Sequence, residues 1–364
     1  MSFKTPLNNK HIEAGAKLVD FAGWEMPLYY GSQIEEHKVV REDAGMFDVS
    51  HMNVVDVKGK EAREFMRYLF ANDVDKLKTV GAALYSCMLN ETGGVVDDLI
   101  VYRSSLQDFR VVVNAATHDK DMLWINEQAK KFNVKVIERT DLAMIAVQGP
   151  KAREKTANAF TKEQNAATAN LKTFHGVAVG DWWIGRTGYT GEDGYEIMLP
   201  AFEAPLLWQQ LLDAGVTPCG LVARDSLRLE AGLSLYGSEM DENVSPLEAN
   251  LTWTVALEPQ DRDFMGRKAL EELKQKGLQK NIFGLVLEDK GMLRSHQKVI
   301  VPNCGEGETT SGGYSPVLGC AVALARLPLA SKVGDSCFVV IRDKQLKARI
   351  IKPPFVKNGK KNNY

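Results

Sequence analysis

Two adjacent carboxylates, a glutamate set in an apolar strand and two arginines one helical turn apart are the residues of this chain whose types and spacing could do chemistry. The carboxylates are Asp97 and Asp98 in GGVVDDLIVY (93–102). Neighbouring side chains on a strand point to opposite faces, so the pair is not expected to converge like an aspartic-protease dyad. At most one faces a cleft, and the other faces solvent or a local turn. A single carboxylate at the mouth of an apolar site could accept a proton or stabilise a developing cation. The alternative is a hairpin whose acidic pair solvates the strand entrance.

GRTGYTGEDGYEIM (185–198) carries Gly185, Gly188, Gly191 and Gly194 at three-residue spacing. That is not a dinucleotide fingerprint, and no helix follows directly. Glu196 lies between Tyr195 and Ile197 in a strand that reads as largely buried, and a buried carboxylate needs a partner. The partner could be Arg186 or Arg224, or a ligand with two parallel N–H donors, as a pterin has in its 2-amino group and N3–H. In LVARDSLRLEAG (221–232), Arg224 and Arg228 share a helical face at i,i+4. Asp225 and Glu230 could satisfy them, or one arginine could anchor an anionic ligand tail. His51 in MFDVSHM (46–52) is either an acid–base group or a hydrogen-bonded structural residue. No nucleophile elbow, phosphate loop or Ser/His/Asp order is present.

Mixed strands and helices must position these groups. EAREFMRYLF (61–70) places Ala62, Phe65, Met66, Leu69 and Phe70 on one helical stripe. DVSHMNVVDVKG (48–59), LIVYRS (99–104) and FRVVVNAA (109–116) read as strands, and Thr117 could cap the next helix. LAMIAVQGP (142–150) is a continuous apolar run and reads as a buried strand, followed by a helix near 152–160. WWIGRTGYT, GEDG and YEIMLP read as a hairpin, with helices following through 204–215 and 221–232. After about residue 275 the character changes. LKQKGLQKN (273–281) reads as a polar connection, and short β-rich runs separated by Gly and Pro turns suggest a small sandwich or barrel.

With 364 residues, two or three domains of about 150 residues are expected. Lys plus Arg number 45 against 47 Asp plus Glu, a formal net charge of −2, which argues against a dedicated nucleic-acid binder. No stretch approaches the ~18 apolar residues of a membrane span, so no membrane partner is expected, and the N-terminal MSFKTPLNNK has no apolar signal core. The expected location is cytoplasmic. The five cysteines and six histidines lack metal-ligand or redox spacing, so the thiols read as reduced and no metal is expected.

The same segments, read in order, resemble the aminomethyltransferase (T protein) family of the glycine cleavage system. The likeness runs through TPLNNKHIEAGAKLVDFAGWEMPLYYGS, AGMFDVSHM, GGVVDDLIVY, VVNAATHDKD (112–121), AVQGP, RTGYTGEDGYEI and CGLVARDSLRLEAG. It continues through LYGSEMDE, DFMGRKAL, TSGGYSPVLG with ALAR, and KPPFV. The resemblance implies an α+β fold: two mixed α/β parts forming a folate-binding body over 1–275, a C-terminal Greek-key β-barrel over 280–357, and a basic polar tail at 358–364. It implies transfer of the methylene of an aminomethyl group, carried on the lipoyl arm of H protein, to tetrahydrofolate. Ammonia, 5,10-methylenetetrahydrofolate and dihydrolipoyl H protein are released.

By the same resemblance the key aspartate falls on Asp98, the pterin-reading glutamate on Glu196 and the folate-contacting arginine on Arg224. Tyr85, Asn114, Tyr189 and Met52 match positions lining that pocket. Whether Tyr364 approaches the site, and whether Arg224 meets the folate tail or orients Glu196, stay open. The tail from Arg342 carries Lys344, Lys347, Arg349, Lys352, Lys357, Lys360 and Lys361 against only Asp343. It is either a solvated basic edge or a docking surface for the H protein, which is acidic in this family. A related folate-binding accessory protein of iron–sulfur cluster assembly, without transferase activity, is the alternative. It would carry a Lys-Gly-Cys…Gly-Gln-Glu stretch where this chain reads DRDFMGRKAL (261–270). Sarcosine- or dimethylglycine-type oxidases would need a further flavin domain, and a silent folate-binding subunit is separated only by an activity assay.

Overall fold

Val54 and Val55, Val101 and Tyr102, and Val111 and Val112 face opposite ways along three neighbouring strands, and both faces they serve are buried. A sheet buried on both sides needs a layer on each, and the computed structural model, which describes residues 2–363, shows what those layers are. Ala83–Leu89, Val95–Arg103, Phe109–Val113, Asn53–Lys58 and Lys135–Glu138 form a five-stranded antiparallel sheet in that spatial order. The helix Ala62–Leu69 packs Phe65, Met66 and Leu69 against one face, joined by Ile125 of the helix His118–Ala129.

The second sheet runs Gly176–Val179, Trp182–Gly185, Gly194–Pro200, Leu142–Gln148, Gly45–Asp48 and Thr217–Pro218, with only the last pairing parallel. The helices Ala152–Ala159 and Ala204–Asp213 cover its outer face around Ile145, Ile197 and Trp208. Its inner face, through Phe47, Met144, Ala146, Trp183 and Met198, meets Val54, Tyr102 and Val112 of the first sheet. This double coverage explains why 142–148 is apolar without alternation.

Lys280–Leu287, Cys320–Pro328, Gly305–Ser315, Lys298–Val301, Ser336–Ile341 and Lys344–Ile351 close into an antiparallel barrel in that order. Its second, third and fourth strands in sequence are joined as hairpins, and the first lies beside the fourth, which is a Greek key. The chain is therefore α+β, with two mixed α/β parts and a C-terminal Greek-key barrel. The barrel meets the body through the helix Leu221–Glu230. Leu229 packs with Ile282, Val322, Leu324, Ile351 and Phe355. Beside it Glu230 accepts from the Ser315 hydroxyl at 2.5 Å, Arg228 donates to Ser311 at 2.9 Å, and Thr310 donates to Glu239 at 2.6 Å.

Local readings differ from the structure in three places. The run 48–59 is not one strand: Gly45–Asp48 and Asn53–Lys58 belong to different sheets. The turn between them, closed by the Met52 N–H on the Val49 carbonyl at 3.0 Å, carries the chain across. Thr117 stands at the helix start, but its hydroxyl bonds back to the Asn114 carbonyl at 3.2 Å instead of capping. The supposed connection at 273–276 is the end of a helix, Arg267–Lys276. Among the described residues no helix is long and apolar enough to cross a membrane.

Candidate active site

The paired glycines set the strand that carries the carboxylates. Gly93 takes φ +82°, and a Cβ on Gly94 would stand 1.8 Å from the Glu242 carbonyl oxygen, so the segment near 240 can close onto the strand only where no side chain intervenes. The Val95 N–H is then held by the Asp241 carbonyl at 2.9 Å. Three residues on, Asp98 accepts from the Tyr85 hydroxyl at 2.8 Å and from the Asn114 amide at 3.0 Å. Burial, then the neighbouring charge of Asp97, pushes the Asp98 carboxyl up to about 7, against the pull of those two donors. Tyr85 stacks at 5.5 Å on the indole of Trp253, which is 62% exposed.

Asp97 does not face solvent or an open turn. It is fully buried, taking the Asn114 N–H at 3.1 Å and the Asn114 side-chain amide at 2.9 Å. The same amide reaches Asp98, so the two carboxylates share one donor although their strand positions alternate. Asn114 can do this because it follows the end of the adjacent strand Phe109–Val113, where its side chain is free to turn across the edge.

Glu196 finds neither predicted arginine as a hydrogen-bond partner. Arg186 is taken by Asp193, at 2.8 and 2.7 Å. Glu196 accepts from the Thr187 hydroxyl at 2.6 Å, and Thr187 meets the Tyr102 hydroxyl at 2.6 Å. A hydroxyl has one proton, so the relay runs Tyr102 to Thr187 to Glu196. Gly188 permits the tight loop that brings Thr187 there: its Cβ would sit 1.8 Å from the Gln148 side chain.

Arg224 interacts with Glu196 through charge, lies over the Tyr189 ring at 4.8 Å and points one nitrogen at the Met52 sulfur at 4.0 Å. Its other terminal nitrogen, Nη1, is buried without a hydrogen-bond partner among the described residues. Burial lowers the proton affinity of this guanidinium, opposed by Glu196 and Tyr189. Tyr189 donates to the Ser234 carbonyl at 2.5 Å, and its phenol is raised by burial foremost, with the charge of Asp98 adding to it. Asp98, Tyr85 and Asn114 thus form one hydrogen-bonded group, and Arg224, Tyr189, Met52 and Glu196 a second beside it, the two meeting through the electrostatic interaction of Tyr189 with Asp98.

His51, the other acid–base candidate, is buried edge-on against Phe21 at 5.6 Å. Burial, with Arg224 nearby, pushes its imidazole down to about 4 despite Asp48, so it is neutral at ordinary pH. Arg228 pairs with Asp225 at 2.7 Å and Glu239 at 3.2 Å. Glu230, expected to serve these arginines, instead holds His37 at 3.0 Å and Arg41 at 2.9 Å. Thr187, Tyr102, Trp253 and Asp121 were not anticipated. Asp121 is the last residue of VVNAATHDKD and Thr187 lies in GRTGYTGEDG, so both stood inside segments already singled out.

Residues 7–259 match the family described as GCVT N-terminal domain, and residues 280–357 match the glycine cleavage T-protein C-terminal barrel domain. The chain belongs to the glycine cleavage T-protein family. The crystal structure of the glycine cleavage system aminomethyltransferase T from Bartonella henselae is similar at TM-score 0.92 and 36% identity, covering 100% of both chains. Heterotetrameric sarcosine oxidase from Corynebacterium sp. U-96 aligns at TM-score 0.36 and 11% identity over 58% of this chain and 93% of that one, too little to carry an argument. As a T-protein family member the chain is an enzyme, an aminomethyltransferase of the glycine cleavage system.

Proposed function

We propose that this chain transfers the methylene of an aminomethyl group, carried on the lipoyl arm of H protein, to tetrahydrofolate, with release of ammonia. The observation that carries the reading is a partly exposed carboxylate, Asp98, fixed by Tyr85 and Asn114 and near enough to Tyr189, over whose ring Arg224 lies, for its charge to act there. Tetrahydrofolate, when bound, supplies a nucleophilic ring nitrogen and accepts the one-carbon unit. The residues suit it. Glu196 has lone pairs beyond the one Thr187 occupies, enough for two N–H donors of a pterin edge. Arg224 Nη1 is a buried donor lacking an acceptor, which an anionic tail or a ligand carbonyl would satisfy. Asp98 places negative charge where positive charge develops as ammonia departs, and Tyr85 and Asn114 hold it there without reorganisation.

Glu196→Gln should weaken tetrahydrofolate binding by about 1.5–3 kcal/mol before it affects chemistry. Titration calorimetry checks this, and an unaltered affinity removes Glu196 from the pterin site. The activity itself is tested by ammonia release from glycine with purified lipoylated H protein and the other glycine cleavage components. No release with a folded, folate-stabilised protein would leave a binding subunit in its place.

Docking of the acidic H protein is assigned to the basic C-terminal region. Lys347 and Arg349 there already pair with Glu288, at 3.0 and 2.7 Å, and the exposed Lys344, Lys352, Lys357 and Lys360 are four of the remaining charges available for steering. Replacing these four by glutamine should slow association with H protein, and the deficit should fade at high salt. A deficit that does not change with salt rejects the assignment. A cytoplasmic setting accords with five cysteines that are all unpaired.

A further inference from the structure

Beneath Asp98 lies a second acidic group that the transfer reaction does not use. Asp121 comes from the helix His118–Ala129 and is fully buried. Among the described residues neither of its carboxyl oxygens has a hydrogen-bond donor, although its carboxyl lies within hydrogen-bonding reach of the equally buried Asp97. The Thr117 hydroxyl beside it donates to the Asn114 carbonyl. Lys120, the nearest cation, is engaged by the Tyr236 hydroxyl, and its ammonium stands 3.8 Å from Glu242. Tyr236 donates to the Val95 carbonyl at 3.2 Å. The remaining groups that face the pair are Asp98, Asn114, Cys87 and, beyond Tyr236, Asp241. Two ionised carboxylates pressed together in a buried space, with the charge of Lys120 drawn off toward Tyr236 and Glu242, are strongly unfavourable. One proton between them removes the repulsion and supplies the donor that Asp121 lacks.

We propose that Asp121 and Asp97 form a proton-sharing carboxyl pair that, through the Asn114 amide, holds Asp98 in place and presents one fixed negative charge behind it. The three are positioning residues, with Asp98 alone facing the reacting atoms. Asn114 is the coupling element: its N–H and its amide grip Asp97, and the same amide grips Asp98. Its orientation is determined, because both acceptors require the nitrogen side. Burial, then the charge of Asp97, raises the proton affinity of Asp98, and burial, then Asp97, raises that of Asp121.

The proposal rests on the reading of Asp98 as the reacting carboxylate, and its test separates the two. In full-length enzyme, the double substitution Asp97→Asn with Asp121→Asn removes the charge behind Asp98, whereas Asp97→Asn alone would let Asp121 ionise in its place. The acidic limb of single-turnover ammonia release should then move down by about one to three pH units. Asp121→Asn keeps an N–H donor toward Asp97 and should keep turnover within about twofold of wild type, whereas Asp121→Leu, with no donor, should lose roughly tenfold or more. Wild type should also show a carboxylic-acid C=O infrared band that persists at mildly alkaline pH and is absent in Asp121→Asn.

A folded carboxyl with raised proton affinity loses stabilising effect as pH rises above the ordinary carboxylate range. The thermal midpoint of Asp121→Asn should therefore fall less steeply than wild type from acid toward alkaline pH. An unmoved limb in the double variant, equal rates for Asp121→Asn and Asp121→Leu, or no persistent band would each overturn the pair. If Asp98→Asn kept full turnover, the catalytic reading would fail, while the infrared and stability measurements would still decide whether a proton is shared.

Discussion

Asp98→Asn lowers the rate of aminomethyl transfer by about 10²–10⁴ while tetrahydrofolate affinity changes little. The substitution preserves shape, and an amide in place of the carboxylate can still meet Tyr85 and Asn114 after a flip. It removes the negative charge that faces the developing cation. That interaction exists only as charge develops, so its loss appears in the rate of the chemical step and not in ground-state binding. Wild type carries a second signature. Burial and Asp97 hold the Asp98 carboxyl up near 7, so activity that depends on the carboxylate declines as pH falls through neutrality. The variant has no such group and should lose that limb. Single-turnover ammonia release across pH reads both effects, and a rate within twofold of wild type would dismiss Asp98 as the reacting group.

The second large effect is on stability. Glu230 is fully buried and accepts from His37, from Arg41 through two nitrogens, and across the seam from the Ser315 hydroxyl and the Val317 N–H. Glu230→Ala leaves the Arg41 guanidinium buried with Glu192 as its remaining carboxylate partner. Breaking such a pair costs about 3–5 kcal/mol. Denaturant unfolding of the variant should show that loss, and a loss below about 1 kcal/mol would return this cluster to the class of weak surface pairs.

The sign with pH is defined. Burial alone would raise the Glu230 carboxyl, but His37, Arg41 and Ser315 outweigh it and hold it below its ordinary value. Its stabilisation is present above the unfolded carboxylate pKa of about 4.3 and is lost as pH falls through the lower folded value. The difference between variant and wild type should therefore shrink in strong acid.

The sequence shows the layers of this fold more clearly than its polar pairings. The stripe of Ala62, Phe65, Met66 and Leu69 and the unbroken run 142–148 announce their own burial, because periodicity is local. The strand Gly305–Ser315 carries no such signal, because GEGETTSGGYS lacks apolar alternation, and its place comes from barrel closure. Asp225 is the partner of Arg228 that the sequence offers, but the donor to Glu196 is Thr187, nine residues away in the same hairpin, and not Arg186 or Arg224; the links beyond these are long-range. Tyr102 and Thr187 are 85 residues apart, and Ser311 is 83 residues from Arg228, distances over which only the packed sheets and barrel decide who meets whom. Asp97 was read from strand alternation alone, which says nothing about a neighbouring strand's Asn114 turning across its edge.

Trp253 has an experimental consequence of its own. Of the six tryptophans it alone is exposed, and it lies flat against the ring whose hydroxyl touches Asp98. The reddest component of the intrinsic fluorescence therefore belongs to the doorway of the proposed active site. Whatever enters there must strip solvent from that indole, so occupancy can be followed by emission wavelength in the unlabelled enzyme, at the speed of a stopped-flow mixer.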